Sequence, residues 1–322
     1  MFGASEELLP LAQKYLMPVR YTAPIFLFTQ FLASFLRNDG APSLATKAVM
    51  LGGIVNVFGD YILVFPCNLG ILGAAYATVG SAAVSVLVML THFTHEEHTL
   101  HLVRPAHLFE TCRRIISTGF STFFIDIAMG FITMLFNRQI MRYLNADALA
   151  VYGIIVNLST FVQCCAYGVG QASQPLLSVN FAAGQKDRIH QLLKYNLLTI
   201  AIISAIWIFL TLAFPNGFVK LFMSPTDSVL QIAPSIMRCY CLSFLFLPLN
   251  IYATYYFQSA LKPMVSLTVS FLRGAVISGI LILILPVLFN GNALWWAMPI
   301  TELCTAVFAV IMMKKMDRAF AR

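Results

Sequence analysis

Phe35-Leu36-Arg37-Asn38-Asp39-Gly40-Ala41-Pro42 separates two long apolar runs, and its frame returns 221 residues later. Adding 221 carries Phe35 to Tyr256 and Pro42 to Pro263, and further on it carries Gly70 to Gly291. Toward the N-terminus the same shift takes Ser5 to Thr226, Glu6 to Asp227, Leu9 to Leu230 and Ala12 to Ala233. Residues 2–97 therefore align with 223–318 at one offset without gaps. Identities are few, but a turn proline and a turn glycine fall in register while the apolar runs stay in phase. A repeat of this length in so apolar a chain points to a duplicated membrane fold, the usual build of a secondary transporter. With a unit of this size, the first copy is expected to hold only its last part, with its first half absent.

Composition agrees. Hydrophobic residues make up 59% and charged residues 10%, with a mean hydropathy of +0.82, whereas soluble domains carry about 25% charged residues. The net charge of +7 lacks the clustered basic and aromatic pattern of a nucleic-acid surface. Seven cysteines form no CxxC pair, and most lie in apolar runs as small hydrophobes. His92, His95, His98 and His101 form a tempting ligand run with Glu96 and Glu97, but no cysteine joins it, and a solvated loop is the expectation, with no metal site. No GxSxG, HExxH, Walker loop or dinucleotide fingerprint occurs, so an enzyme is not expected.

Apolar runs of bilayer-crossing length, about 17 to 25 residues, recur near 15–36, 44–66, 70–92, 114–141, 148–177, 192–214, 230–259, 264–289 and 294–313. The breaks carry turn chemistry, as in Asn145-Ala146-Asp147, Gly184-Gln185-Lys186-Asp187, Lys262-Pro263 and Asn290-Gly291-Asn292. In lipid such runs must be helical, because each backbone group needs a partner within its own segment. Lysine and arginine then set the orientation. With the first loop outside, the outer side keeps Lys14, Arg20, Arg138, Arg142, Lys220 and Arg238, and the other 14 of the 20 basic residues, Arg273 among them, fall to inner loops and tail. The positive-inside rule places the C-terminus in the cytoplasm. Six spans follow residue 98, so both copies share one orientation, the parallel kind of repeat.

Three stretches resemble the multidrug and toxic compound extrusion (MATE) family. The first joins Phe35 to Pro42 with Asn56, Asp60 and Leu69-Gly70-Ile71-Leu72-Gly73-Ala74-Ala75-Tyr76-Ala77-Thr78. The second runs from Gly119 to Asn137, with Asp126 where many bacterial members carry a helix-seven carboxylate. The third is Tyr152-Gly153-Ile154-Ile155, then Gly168-Val169-Gly170-Gln171-Ala172-Ser173-Gln174-Pro175-Leu176, Asn180 and Gly184. Family members have twelve helices, and this chain is similar to helices four to twelve. The resemblance implies multidrug efflux by H+- or Na+-coupled antiport of amphiphilic, often cationic, compounds across a bacterial inner membrane. It further implies a central cavity between two bundles with alternating access, no cofactor beyond the coupling ion, and a monomer when complete. Membrane lipid and small substrates would be the partners, with no nucleic acid. The family's helix-one aspartate has no counterpart here.

The residues also speak for themselves. Asp126 lies inside an apolar run, where a carboxylate normally faces a cavity or a partner. Gly119, Thr122, Asp126, Gly130, Thr133 and Asn137 recur at helical spacing as one small, polar stripe. Asn157, Thr160, Gln163, Tyr167, Gln171, Gln174 and Ser178 form a second stripe, suited to lining a cavity or to interhelical bonding. Asn250 joins these cavity-lining candidates. Asp60 is a further ion-coupling candidate, with Asn56 one turn away and placed to donate to it. Glu302, in the last span, is the third.

The expected fold is an all-α integral membrane bundle of about nine transmembrane helices, a partial two-fold repeat of six-helix bundles. Residues 1–97 would be the C-terminal half of the first bundle, 98–113 a cytoplasmic linker, 114–318 the second bundle and 319–322 a cytoplasmic tail. Two alternatives stand beside antiport. One is a lipid-linked oligosaccharide flippase of the same fold group, for which only Arg138 and Arg273 could serve a pyrophosphate. The other is a truncated membrane protein that does not transport.

Overall fold

A computed structural model describes residues 8–94, 99–101 and 107–321, with the side chains of 8, 9, 121, 122, 125, 126 and 318–321 outside the described set. Every regular element among these residues is helical. The chain forms two compact units, dividing at residues 104 and 105. The first contains α1 (Leu8–Asn38), α2 (Pro42–Val64) and α3 (Gly70–Leu90). The second contains α4 (Leu108–Tyr143), α5 (Ala146–Ala182), α6 (Lys186–Ala213), the short α7 (Pro215–Phe222), α8 (Asp227–Tyr240), α9 (Leu247–Ser259), α10 (Pro263–Phe271), α11 (Ile277–Leu288) and α12 (Ala297–Ala321).

Among the described residues, eight helical segments are long and apolar enough to cross a membrane. Three of them join shorter pieces: Asp227–Ser259 contains α8 and α9, Pro263–Leu288 contains α10 and α11, and Gly291–Asp317 runs into α12. α4 has 36 residues, more than a crossing needs. The helix ends follow local chemistry. Asn145 caps α5 by accepting from the Ala148 amide at 2.9 Å, and Thr226 caps α8 by accepting from Val229. Within 230–259 the helix is interrupted by a 3-10 turn at Cys241–Leu245. Pro248 follows in the first turn of α9 and has no N–H to return to the carbonyl four residues back.

The helix ends reproduce the 221-residue offset. α1 ends at Asn38 and α9 at Ser259, α2 begins at Pro42 and α10 at Pro263, and helix resumes at Gly70 and at Gly291. The turn between them repeats in its hydrogen bonds. The Ala41 amide donates to the Leu36 carbonyl at 2.9 Å, and the Lys262 amide donates to Phe257 at 2.9 Å. Both turns pass through a left-handed residue, Gly40 at φ 77° and Leu261 at φ 54°.

Packing within each unit is close. In the first, a Cβ added to Gly73 would lie 2.7 Å from the Leu63 carbonyl, so α2 and α3 meet backbone to backbone. The α1–α2 turn is tied down by Asp39, which accepts from His92 Nε2 at 2.7 Å, from the Thr99 amide at 3.2 Å and from the Thr99 hydroxyl. In the second unit, Phe136, Tyr152, Tyr240, Phe244 and Trp295 anchor an apolar core. A smaller cluster around Leu177, Tyr252, Phe257 and Met313 lies beside it.

Candidate functional site

The second unit places a charged cluster inside its helices. Glu302, on α12, has no solvent exposure. Its Oε1 accepts from Arg273 Nε at 2.6 Å, and its Oε2 accepts from Asn250 Nδ2 at 2.6 Å. The same Nδ2 also donates to the Glu302 backbone carbonyl at 2.8 Å. Three separate chain segments converge here: α9 brings Asn250, α12 brings Glu302, and the turn between α10 and α11 brings Arg273. That turn is a π-helical segment, Leu272–Val276, the kind of one-residue insertion that often marks functional positions. Gly274 makes the geometry possible, because a Cβ there would stand 2.7 Å from Ala128 on α4.

The polar accounting around the cluster is incomplete. Asn250 is 1% exposed, and its Oδ1 is buried with no donor among the described residues. Such an atom carries a desolvation cost of about 1–3 kcal/mol. A small cavity of about 10 Å3, room for about one water, is bordered by Met129, Ile132, Ser270, Arg273, Gly274 and Met298. Tyr240 stands within electrostatic reach of Glu302 and Arg273.

The structure thus brings Glu302 and Asn250 into one site. It also corrects the reading of Arg273 as a cytoplasmic loop residue. Arg273 is 5% exposed and sits ten residues into the span that starts at Pro263. Its partner belongs to another span, which periodicity along one helix cannot reveal. Depth was an available signal: Arg273 lies ten residues past Pro263 and Glu302 eleven past Gly291, in consecutive antiparallel spans. At 1.5 Å per residue both fall near the middle of a hydrocarbon layer about 30 Å thick.

The remaining candidates are spread out. Asp126 lies on α4, but its side chain is outside the described residues. Asp60 is half-buried on α2, with Oδ1 buried and unpartnered among the described residues. Asn56 does not serve it; its amide points to Thr78 Oγ1 at 3.5 Å instead. Gln163 is buried, whereas Asn137 and Asn157 are exposed, and Asn157 donates to the Gly153 carbonyl of its own helix at 3.1 Å. Tyr167, Gln171 and Gln174 are half-buried along α5. Tyr167 meets Tyr255 edge to face at 6.3 Å, and the Gln174 carbonyl lies 3.5 Å from Ser259 Oγ. Of the histidine run, His92 bonds Asp39, and residues 95–98 lie outside the described residues.

A repeated, all-helical membrane fold with opposite charges buried at mid-span defines a multi-pass transporter rather than an enzyme. The MatE family profile matches residues 120–284, just over half of the chain, and the chain belongs to the MATE family. The multidrug export protein MepA of Staphylococcus saprophyticus subsp. saprophyticus is 27% identical over 323 residues, covering 97% of this chain and 68% of that protein. MepA of Staphylococcus aureus is 26% identical with the same coverage. The fold is similar to that of a structure described as the outward-facing conformation of a multidrug resistance MATE family transporter of the MOP superfamily, at a TM-score of 0.90 and 18% identity over 99% of this chain and 72% of that one. A MATE protein in its straight conformation gives a TM-score of 0.89 at 18% identity, over 98% and 72%.

Proposed function

We propose that this chain exports amphiphilic, often cationic, compounds by antiport against protons or sodium ions. Membership of the MATE family and similarity to two multidrug export proteins support the efflux part. The observation that carries ion coupling is Glu302, a fully buried carboxylate held by Arg273 and Asn250 within the bundle. A buried acid whose partners can be exchanged gives an inward-moving cation and an outgoing substrate something to compete for. Asp60, with a buried oxygen unpartnered among the described residues, is the candidate acid of the first unit. Asp126 on α4 is the third candidate, and the polar face of α5 from Gln163 to Gln174 is the candidate substrate lining. Residues 1–97 act as the last part of a first bundle, 98–113 as a cytoplasmic linker, 114–318 as the second bundle and 319–322 as a cytoplasmic tail. The protein works as a monomer in membrane lipid, with its C-terminus in the cytoplasm. The flippase alternative loses support, because Arg273, one of its two candidate cations, is already neutralised by Glu302.

Flux assays in proteoliposomes test the proposal. An imposed proton or sodium gradient is expected to drive a lipophilic cationic dye against its concentration, and Glu302→Gln is expected to abolish that drive. Gradient-independent leakage equal to protein-free liposomes would overturn the antiport reading. Undiminished driven flux in the Glu302→Gln variant would remove Glu302 from coupling.

A further inference from the structure

Among the described residues, Arg273 is the sole buried lysine or arginine, and Glu302 beside it has no solvent exposure. Stability alone gives little reason to keep such a pair. Replacing a buried ion pair with apolar side chains of similar size is often neutral or stabilising. In membranes, buried ionisable groups are by default functional. The pairing here is also incomplete. Among the described residues Arg273 binds Glu302 through Nε alone, rather than through the two-pronged fork that gives arginine–carboxylate pairs their strength. The residue occupies a π-helical turn, a local insertion frequent at functional sites. Beside it, Gly274 rests on Ala128 without a side chain to lock the contact.

With Arg273 on one oxygen and Asn250 on the other, both oxygens of Glu302 are engaged. A proton or sodium ion arriving there competes with the guanidinium for the same carboxylate charge. Asn250 Oδ1, buried and without a donor among the described residues, leaves an acceptor next to the carboxylate for the arriving cation. Among the described residues, the surroundings contribute little charge. Tyr240 comes from α8, Cys241 from the following turn, and Tyr167 of α5 lies near Arg273. α10, α11 and the segment 291–296 contain no titratable residue.

We propose that Arg273 is a tethered rival of the coupling ion: it fills Glu302 in this state, an arriving proton or sodium ion displaces it, and the π-turn at Leu272–Val276 passes that displacement to α10 and α11. Arg273 is thus a positioning residue that acts through Glu302. The inference rests on the antiport reading above.

The test separates this role from a structural one by replacing both partners. Arg273→Met combined with Glu302→Leu removes the charges while filling the space, and it is compared with wild type and with Arg273→Lys in proteoliposomes. The double variant is expected to keep the wild-type melting temperature, yet lose gradient-driven exchange by at least about tenfold. Arg273→Lys is expected to restore part of it, with a changed dependence on the coupling ion and unchanged dye affinity. Driven exchange by the double variant within about twofold of wild type would overturn the proposal. If the double variant does not fold, Arg273→Lys decides, and an unaltered ion dependence overturns it. A wild type without driven exchange overturns the antiport reading and this inference together, an outcome distinct from an active double variant.

Discussion

At the scale of single residues, the chain uses its few charges in two different ways. Glu302 and Arg273 are paired away from water, while Asp39 is pinned at the end of the first helix by neighbours distant in sequence. The Thr99 hydroxyl and then the His92 ring donate to Asp39, holding its carboxyl at about 2, below the ordinary 3.8. A carboxyl held low stabilises the fold above its unfolded pKa and loses that contribution as pH falls through its folded pKa. Asp39→Asn is therefore expected to melt below wild type at neutral pH. The gap should be constant down to about pH 4 and close toward about pH 2. Melting curves of both proteins in detergent across that range check this, and coincident curves at neutral pH would show that the turn does not depend on the charge. Asp39 was legible in the sequence only as a turn residue. Its partners lie 53 and 60 positions away, and no local pattern connects them. Glu302 and Asn250 were legible because polar groups stand out in apolar runs. Arg273 was misread because counting basic residues by loop assigns each to the nearer membrane face.

Element by element, the two copies solve the same turn with different residues. In both, a hydrogen bond spanning five residues closes the helix, a left-handed residue follows, and a proline starts the next helix. The first copy uses Gly40, which adopts that conformation without strain. The second uses Leu261, which is 70% exposed and so has little packing to offset its backbone cost. Left-handed backbone costs a branched residue about 1–2 kcal/mol, and glycine gives back part of that gain through the unfolded chain's entropy. Leu261→Gly should therefore stabilise the protein by about 0.5–1 kcal/mol, and Gly40→Leu should destabilise it by about 1–2 kcal/mol. Thermal or denaturant unfolding measures both, and a shift of the same sign in the two variants would contradict the equivalence of the turns. The helices around the turns differ more. Pro18 and Pro24 lie within an unbroken α1, whereas its counterpart is divided at Cys241–Leu245 before Pro248. Span positions were legible from hydropathy, but this break was not, since Pro18, Pro24, Pro234 and Pro248 all lie within apolar runs.

On the scale of the whole molecule, orientation is the property that the sequence argues most indirectly. Its warrant is the excess of lysine and arginine on alternate loops. Arg273 drops out of that count, because it is buried in a span, yet the inner loops and tail still hold most of the basic residues. Two native cysteines offer a direct test. Cys67 follows α2 and Cys112 lies in the first turns of α4, and both are exposed. With the C-terminus in the cytoplasm, counting spans places Cys67 outside and Cys112 inside. Each unit carries one of the two cysteines, so the pair also tests whether both copies share one orientation, as a parallel repeat requires. Single-cysteine variants, treated in right-side-out vesicles with a membrane-impermeant maleimide, are expected to label at Cys67 and to stay protected at Cys112 until the vesicles are opened. The reverse pattern would invert the protein without disturbing the repeat. Labelling of both in sealed vesicles would leave an even number of crossings between them. That would contradict the parallel relation implied by the matching helix ends at Asn38 and Ser259, Pro42 and Pro263, and Gly70 and Gly291.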